Sequence, residues 1–201
     1  MTKLADSVSS LDMLRSVTDP KAETILQSAW QAFSAYGFRK TSMDDIARGA
    51  GMSRPAVYLH FRNKEAIFTA LVEAYYAQAV EDVHAALERE GALVDRFGQA
   101  FAEHGGQTME TMMSSAHGME LFEASLSVAP EAIQEGEAAL AGVYAKWLEM
   151  RVLPEGIGEA AEIAGVICAA LKGIKHTSED YETYRTKVAQ LAVLMARALQ
   201  T

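Results

Sequence analysis

Six cationic side chains fall within 26 residues of this chain: Arg39, Lys40, Arg48, Arg54, Arg62 and Lys64, against only Asp44 and Asp45 in the same stretch. This local excess stands on a chain whose formal net charge is −9, and residues 76–201 hold nine Lys and Arg against nineteen Asp and Glu. A cationic island on an acidic chain is chemistry for a polyanion, because each neutralised phosphate releases counterions. It also suits an ordinary solvated surface, so charge alone does not choose. The residue types say more. Arg54 carries the planar fork that matches a guanine edge in the major groove, and Pro55 or Ala56 offers apolar contact to a thymine methyl. Ser42, Tyr58, His60 and Lys64 are donors suited to phosphate oxygens, contacts that fix register without reading sequence.

Other chemistries find less to stand on. His117 and Glu120 stand three apart, but no Cys/His set has diagnostic metal-ligand spacing. No nucleophile elbow, phosphate loop or pair of catalytic carboxylates occurs. Neither an enzyme nor a resident cofactor or metal is expected. The single cysteine, Cys168, cannot form an internal disulfide, in keeping with a reducing compartment. It lies on an apolar helical stretch and reads as a small buried hydrophobe. No run of 18 uninterrupted apolar residues occurs, and MTKLADSVSSLDMLRS lacks the basic start, apolar run and cleavage pattern of a leader. The expectation is a cytoplasmic protein with no membrane partner.

The elements that must position these groups are helical. Half of the 201 residues are hydrophobic, only four are proline, and no alternating β-branched run appears; the pattern predicts an all-α fold. Residues 1–18 read as a loosely ordered arm with room for one helical turn, on a weak apolar set at Leu11, Leu14 and Val17. Asp19-Pro20 then starts a helix, with Ile25, Ala29, Ala32, Phe33 and Tyr36 on its inner face and Gly37 as its stop. Ser42, with Asp45 three residues on, starts a second helix by a capping-box-like pairing. Its inner face is Met43, Ile46, Ala47 and Ala50, and Gly51 makes the turn that follows. Ser53 caps a third helix with Val57 and Phe61 inward. Asn63 caps a fourth, running through Ile67, Phe68, Leu71, Ala74 and Tyr75 to about Arg89.

Two short helices joined by a Gly-containing turn form a helix-turn-helix, in which the first braces the second and the second carries base-reading side chains at its N-terminus. Pro55 lies in the first turn of that second helix, where its missing amide hydrogen would have had no partner anyway. Beyond Gly91, a helix from about Leu93 meets Gly105-Gly106, which kink or end it. A Met-rich run follows. Pro130 opens another helix that stops before Pro154, and two more span roughly 158–175 and 179–200.

The stretch TSMDDIARGAGMSRPAVYLHFRNKEAIF, preceded by AFSAYGFRK, resembles the N-terminal DNA-binding domain of the TetR family of transcriptional regulators. The residues that carry the likeness are Gly37-Phe38, Thr41-Ser42, Ile46-Ala47, Ala50-Gly51-Met52-Ser53, Tyr58-Leu59-His60-Phe61 and Lys64-Glu65. It covers about residues 22–72. The resemblance implies a helix-turn-helix domain over 19–67 and a helical effector-binding and dimerisation domain over 68–201. It further implies a homodimeric repressor on a palindromic operator in double-stranded DNA, released by a small-molecule effector.

Family likeness also points to residues for the last two functions. An effector pocket among the central helices would draw on Phe97, Phe101, His104, Met109, Met112, Met113, His117, Phe122, Tyr144 and Trp147. That set suits a largely apolar effector with His104, Gln107 or His117 as polar anchors; the same stripes also suit plain core. Dimerisation would fall to the last two helices. Ile163, Val166, Ile167, Ala170, Leu171 and Ile174 line one, and Val188, Leu191, Ala192, Met195 and Leu199 the other. These faces can pack within one subunit, across a two-fold axis, or both, with Gly165, Ala169 and Gly173 permitting close approach. The alternative reading is a helical small-molecule-binding or enzymatic protein whose helix-turn-helix is vestigial. Sequence-specific DNA binding separates the two.

Overall fold

The computed structural model describes residues 12–200, apart from the side chains of Asp12 and Gln107. Residues 1–11 of the expected arm, and Gln107 as a polar anchor, therefore lie outside the described residues. Among the described residues there are nine α-helices and no strand. They are α1 (Pro20–Tyr36), α2 (Met43–Gly49), α3 (Arg54–Tyr58), α4 (Lys64–Glu88), α5 (Leu93–Ser114), α6 (Gly118–Val128), α7 (Pro130–Glu149), α8 (Ala160–Thr177) and α9 (Tyr181–Ala198). Helix α5 is broken at Gly106, whose φ of 61° and ψ of 172° no helical residue adopts.

The chain forms two compact units. The first runs to Gln78 and adds Gln107–Gln134; the second holds Ala79–Gly106 and the chain from Glu135 on. This differs from the division expected at residue 67. The reason lies in the first unit's core, where Leu121 and Ala124 of α6 are buried together with Ile25, Phe33, Ile46, Val57 and Phe68. Three aromatic rings anchor that core, with Phe38–Phe68, Phe33–Phe38 and Phe33–Phe68 centroids at 4.9, 5.3 and 5.5 Å. Fully burying one such side chain contributes roughly 1.5–3 kcal/mol.

The end of the arm holds a helical turn, for which the sequence reading leaves room: Asp12–Leu14 form a 3-10 turn, and Met13 and Leu14 are buried in the core. Tyr36, expected inward, is 62% exposed, whereas Leu26 and Trp30 complete the buried face of α1. Tyr36 is the last residue of α1, next to the Gly37 stop, and its side chain lies beyond the buried stripe.

The second unit is built around Phe97, Phe101, Leu140, Tyr144 and Leu148, all fully buried. Phe97 meets Phe101 at 5.3 Å and Trp147 at 5.4 Å, and Phe101 meets Tyr144 at 5.9 Å. The Trp147 indole donates to the Leu87 carbonyl at 2.8 Å, and the Arg96 guanidinium lies over the Trp147 ring and bonds the same carbonyl. The end of α4 is thereby tied to α5 and α7. Among the described residues, no helix is long and apolar enough to cross a membrane.

Candidate nucleic-acid interface

Local chemistry sets each helix of the first unit's N-terminal part. Asp19 accepts from the Lys21 amide at 2.9 Å ahead of Pro20, and Gly37 ends α1 with φ 84°. Ser42 and Asp45 form a complete capping box: the Asp45 amide donates to the Ser42 hydroxyl, and the Asp45 carboxylate accepts from the Ser42 amide. Gly51 turns with φ 64°. Ser53 caps α3 through the Ala56 amide, with Arg54 and Pro55 in its first turn, and Asn63 accepts from the Ala66 amide at 2.8 Å to start α4. Helix α2 is pinned to α1 by the buried Ser28 hydroxyl, which donates to the Ile46 carbonyl at 2.8 Å.

On this frame α3 turns Val57 into the core and leaves Arg54, Pro55 and Leu59 exposed, with Ala56 half-buried. Arg54 pairs with Asp44 at 3.2 Å and lies beside Tyr58, donating to its hydroxyl at 3.3 Å with the guanidinium 5.5 Å from the ring centre. The Tyr58 hydroxyl and the Asp44 charge both hold the guanidinium's pKa above its ordinary value. It stays cationic at any working pH. Both partners of the ion pair are more than half exposed, so the pair adds little stability and orients the fork at low cost.

The four expected phosphate donors are placed differently from one another. Tyr58 is exposed beside Arg54. His60 is mostly buried and its Nδ1 lies 3.1 Å from the Asp19 carboxylate, joining the end of α3 to the start of α1. The Ser42 amide and hydroxyl are both bonded to Asp45. That carboxyl's pKa is held below its ordinary value chiefly by the hydroxyl bond. Lys64 is the largest departure. Its ammonium donates to the carbonyls of Phe38, Arg39 and Thr41 at 2.8, 3.0 and 3.0 Å and lies 4.7 Å from the Phe38 ring centre. An ammonium has three donors, and here all three hold the loop before α2. Lys64 is therefore a clamp on the protein's own backbone.

The residues expected to line an effector pocket fall in both units. Phe97, Phe101, His104, Tyr144 and Trp147 come together in the second; Met109, Met112, Met113, His117 and Phe122 belong to the first. In the second unit the His104 and Tyr144 rings stack at 5.9 Å. The Tyr144 hydroxyl, which donates to the Ala100 carbonyl, lies 3.3 Å from His104 Nδ1. Burial pushes His104 down to about 4 and, with it, Lys175 down to about 8 and Cys168 up to about 11. The second unit also has an open groove of about 190 Å³ between α5 and α9, lined by Gly98, Ala102, Tyr181, Tyr184, Arg185, Val188 and Ala189. Of those residues the sequence reading names only Val188, and for the dimer interface; small residues and a tyrosine pair carry no periodic signal of their own. Among the described residues, no group of His, Cys, Asp or Glu is arranged to hold a metal ion.

The residues expected at a dimer interface divide cleanly. Ile163, Ile167, Leu171, Val188, Ala192 and Leu199 are buried within the chain, while Ala170, Ile174, Leu191 and Met195 are half-buried. Val166 is 63% exposed, as is Leu194, which the sequence reading did not name.

Residues 25–71 match the sequence model for bacterial regulatory proteins of the tetR family. The N-terminal stretch of this chain is similar to the regulators of that family. Over 61 residues, 30% of this chain and 28% of the relative, it is 36% identical to the HTH-type transcriptional regulator EthR of Mycolicibacterium smegmatis. The matched stretch spans between about a fifth and two fifths of the curated relatives' length.

Across most of the chain the likeness is one of fold. A transcriptional regulator from Cytophaga hutchinsonii superposes with a TM-score of 0.69 at 18% identity, over 91% of this chain and 100% of that one. SmeT, the repressor of the Stenotrophomonas maltophilia multidrug efflux pump SmeDEF, does so with a TM-score of 0.64 at 22% identity, over 88% of each chain. The relatives named for this stretch are transcriptional regulators. Within the matched stretch Leu59, the C-cap of α3 one turn beyond Pro55, is 86% exposed.

Proposed function

We propose that this chain is a homodimeric transcriptional repressor that holds a palindromic operator through α3 and releases it on binding a small, largely apolar effector, acting in the cytoplasm. The observation that carries the reading is the outward set at the start of α3: Arg54, oriented by Asp44 and Tyr58, with Pro55, Ala56 and Leu59 beside it. An arginine fork flanked by small and apolar side chains is the chemistry of base-edge readout. Tyr58 and the exposed Arg39, Lys40 and Arg62 supply backbone contacts around it.

Dimerisation is assigned to the outward stripe of α8 and α9, where Val166 and Leu194 are exposed and Gly165 and Gly173 have open space at the Cβ position. Exposed apolar side chains beside glycines favour close helix approach across a two-fold axis. The effector is assigned to the aromatic cluster around Phe101 and Tyr144, with His104 as its polar end. SmeT, which has this fold, has a structure in complex with triclosan, and this supports a small-molecule effector. An effector lowers operator affinity only by preferring a conformation that reads DNA poorly, typically by about 1–3 kcal/mol.

The test is selection of genomic fragments by the purified chain, followed by titration of the enriched site in rising salt. A palindrome with affinity that falls steeply with salt is the expected result. Recovery of fragments with no shared sequence overturns the reading.

A further inference from the structure

Residues 37–41, which lead into the N-cap of α2, are gripped from two sides within the first unit. From one side Lys64 takes the carbonyls of Phe38, Arg39 and Thr41. From the other, Glu120 on α6 accepts the Arg39 N–H at 2.8 Å through Oε1, while its Oε2 lies 3.6 Å from His117 Nδ1. The carboxylate occupies the space a side chain at position 37 would fill: a Cβ on Gly37 would fall 2.4 Å from Oε2. The start of α6 is fixed nearby by the Ser115 hydroxyl, which donates to the Ser34 carbonyl at 3.2 Å. Arg39 also meets Glu123 at 3.9 Å, but both side chains are exposed and such a pair contributes little.

A carboxylate only 25% exposed, bonded to a main-chain amide 81 residues away, is not solvating a surface. A charge-assisted bond to a backbone N–H is short and directional. Its target is the peptide that sets where α2 begins, and α2 braces the reader. Resting on the DNA-binding reading above, we propose that Glu120 is a positioning residue for operator binding, through which α6 fixes the start of α2 and hence the aim of α3. Charge makes the proposal sharp. Removing a carboxylate raises the attraction of any polyanion, so a loss of operator affinity on removing Glu120 runs against the electrostatic sign and reports geometry.

The test uses the full chain with Glu120→Ala, Glu120→Gln and Glu120→Met, and Glu123→Ala as a control. Binding to the selected operator and to random DNA is read by fluorescence anisotropy, and amide hydrogen exchange at Arg39 is read without DNA. Glu120→Ala is expected to weaken operator binding by roughly tenfold or more, leave random DNA equal or tighter, and speed Arg39 exchange by about the same factor. Glu120→Met keeps the bulk without the acceptor and carries the same expectation should alanine fail to fold. Glu120→Gln retains a carbonyl acceptor and is expected to stay within about threefold of wild type. Operator binding unchanged in the alanine and methionine variants overturns the proposal, as does weakened binding without faster Arg39 exchange, or glutamine as damaging as alanine. A wild-type chain that selects no DNA overturns the DNA reading instead, and Arg39 exchange then still reports on the bond by itself.

Discussion

Lys64 and Glu120 close on the same residue from opposite directions: the ammonium takes the Arg39 carbonyl at 3.0 Å and the carboxylate accepts the Arg39 N–H at 2.8 Å. With two further carbonyls on Lys64, the loop before α2 has its polar groups satisfied by charged side chains. The expected cost of Lys64→Ala is about 2 kcal/mol of stability, below the full worth of three charged hydrogen bonds because the site is partly open to water. Thermal unfolding checks it. A variant that melts like wild type but binds all DNA sequences more weakly would return Lys64 to the phosphate-contact role.

Arg54→Ala is expected to relax the operator sequence at one base pair and cost about 1–3 kcal/mol there, with little change in stability because its ion pair is exposed. Arg54→Lys keeps the charge and loses the fork, so it should retain salt-dependent binding while losing most of the discrimination. Competition with operators altered one base pair at a time measures both. Discrimination intact in the lysine variant would mean that Arg54 touches phosphate only.

Val166→Asp and Leu194→Asp each place a carboxylate on the outward stripe of α8 and α9. Each is expected to shift the chain to monomer in sedimentation and to lower operator affinity by roughly tenfold or more, since two half-sites are then no longer linked. Helix content should be unchanged, because neither side chain is buried in the core. A variant that still sediments as a dimer would move the interface elsewhere.

His104 sets a pH dependence. Burial pushes it down to about 4, from an ordinary value of 6.5, with the Lys175 charge adding to the effect. Between those values the unfolded chain binds more protons than the folded one. This contribution to stability is therefore full above about pH 6.5, is lost as pH falls toward about 4, and is constant below that. The whole span corresponds to about 3 kcal/mol. His104→Gln should flatten the slope of unfolding free energy between pH 6.5 and 4, measured by denaturant titration. An identical slope in the variant would place the acid sensitivity in other groups.

Signals within a few residues of one another were legible in the sequence. Asp19-Pro20, the Ser42/Asp45 box, Gly51, Ser53 and Asn63 all sit where their backbone chemistry requires, and Gly106 breaks its helix as the Gly-Gly pair suggested. Long-range partners were not legible. Nothing in the spacing of Lys64 says that its ammonium meets carbonyls 23 to 26 residues earlier, or that His60 meets Asp19. The apolar periodicity of α8 and α9 picked out residues that are inward or half-inward, with Val166 the exposed exception. It did not separate packing within the chain from packing outside it, and so missed Leu194.

The buried turn at Met13 and Leu14 bears on how the reading head can be handled in isolation. A fragment cut at Asp19 retains every residue proposed here to face DNA, yet leaves two holes beneath them. At about 2–5 kcal/mol for each large aliphatic side chain removed, the loss rivals the 5–15 kcal/mol by which a domain is ordinarily stable. Such a fragment would have the right letters and no floor to stand on. Anyone excising this head should begin the cut ahead of residue 12 and keep α6 as its ceiling.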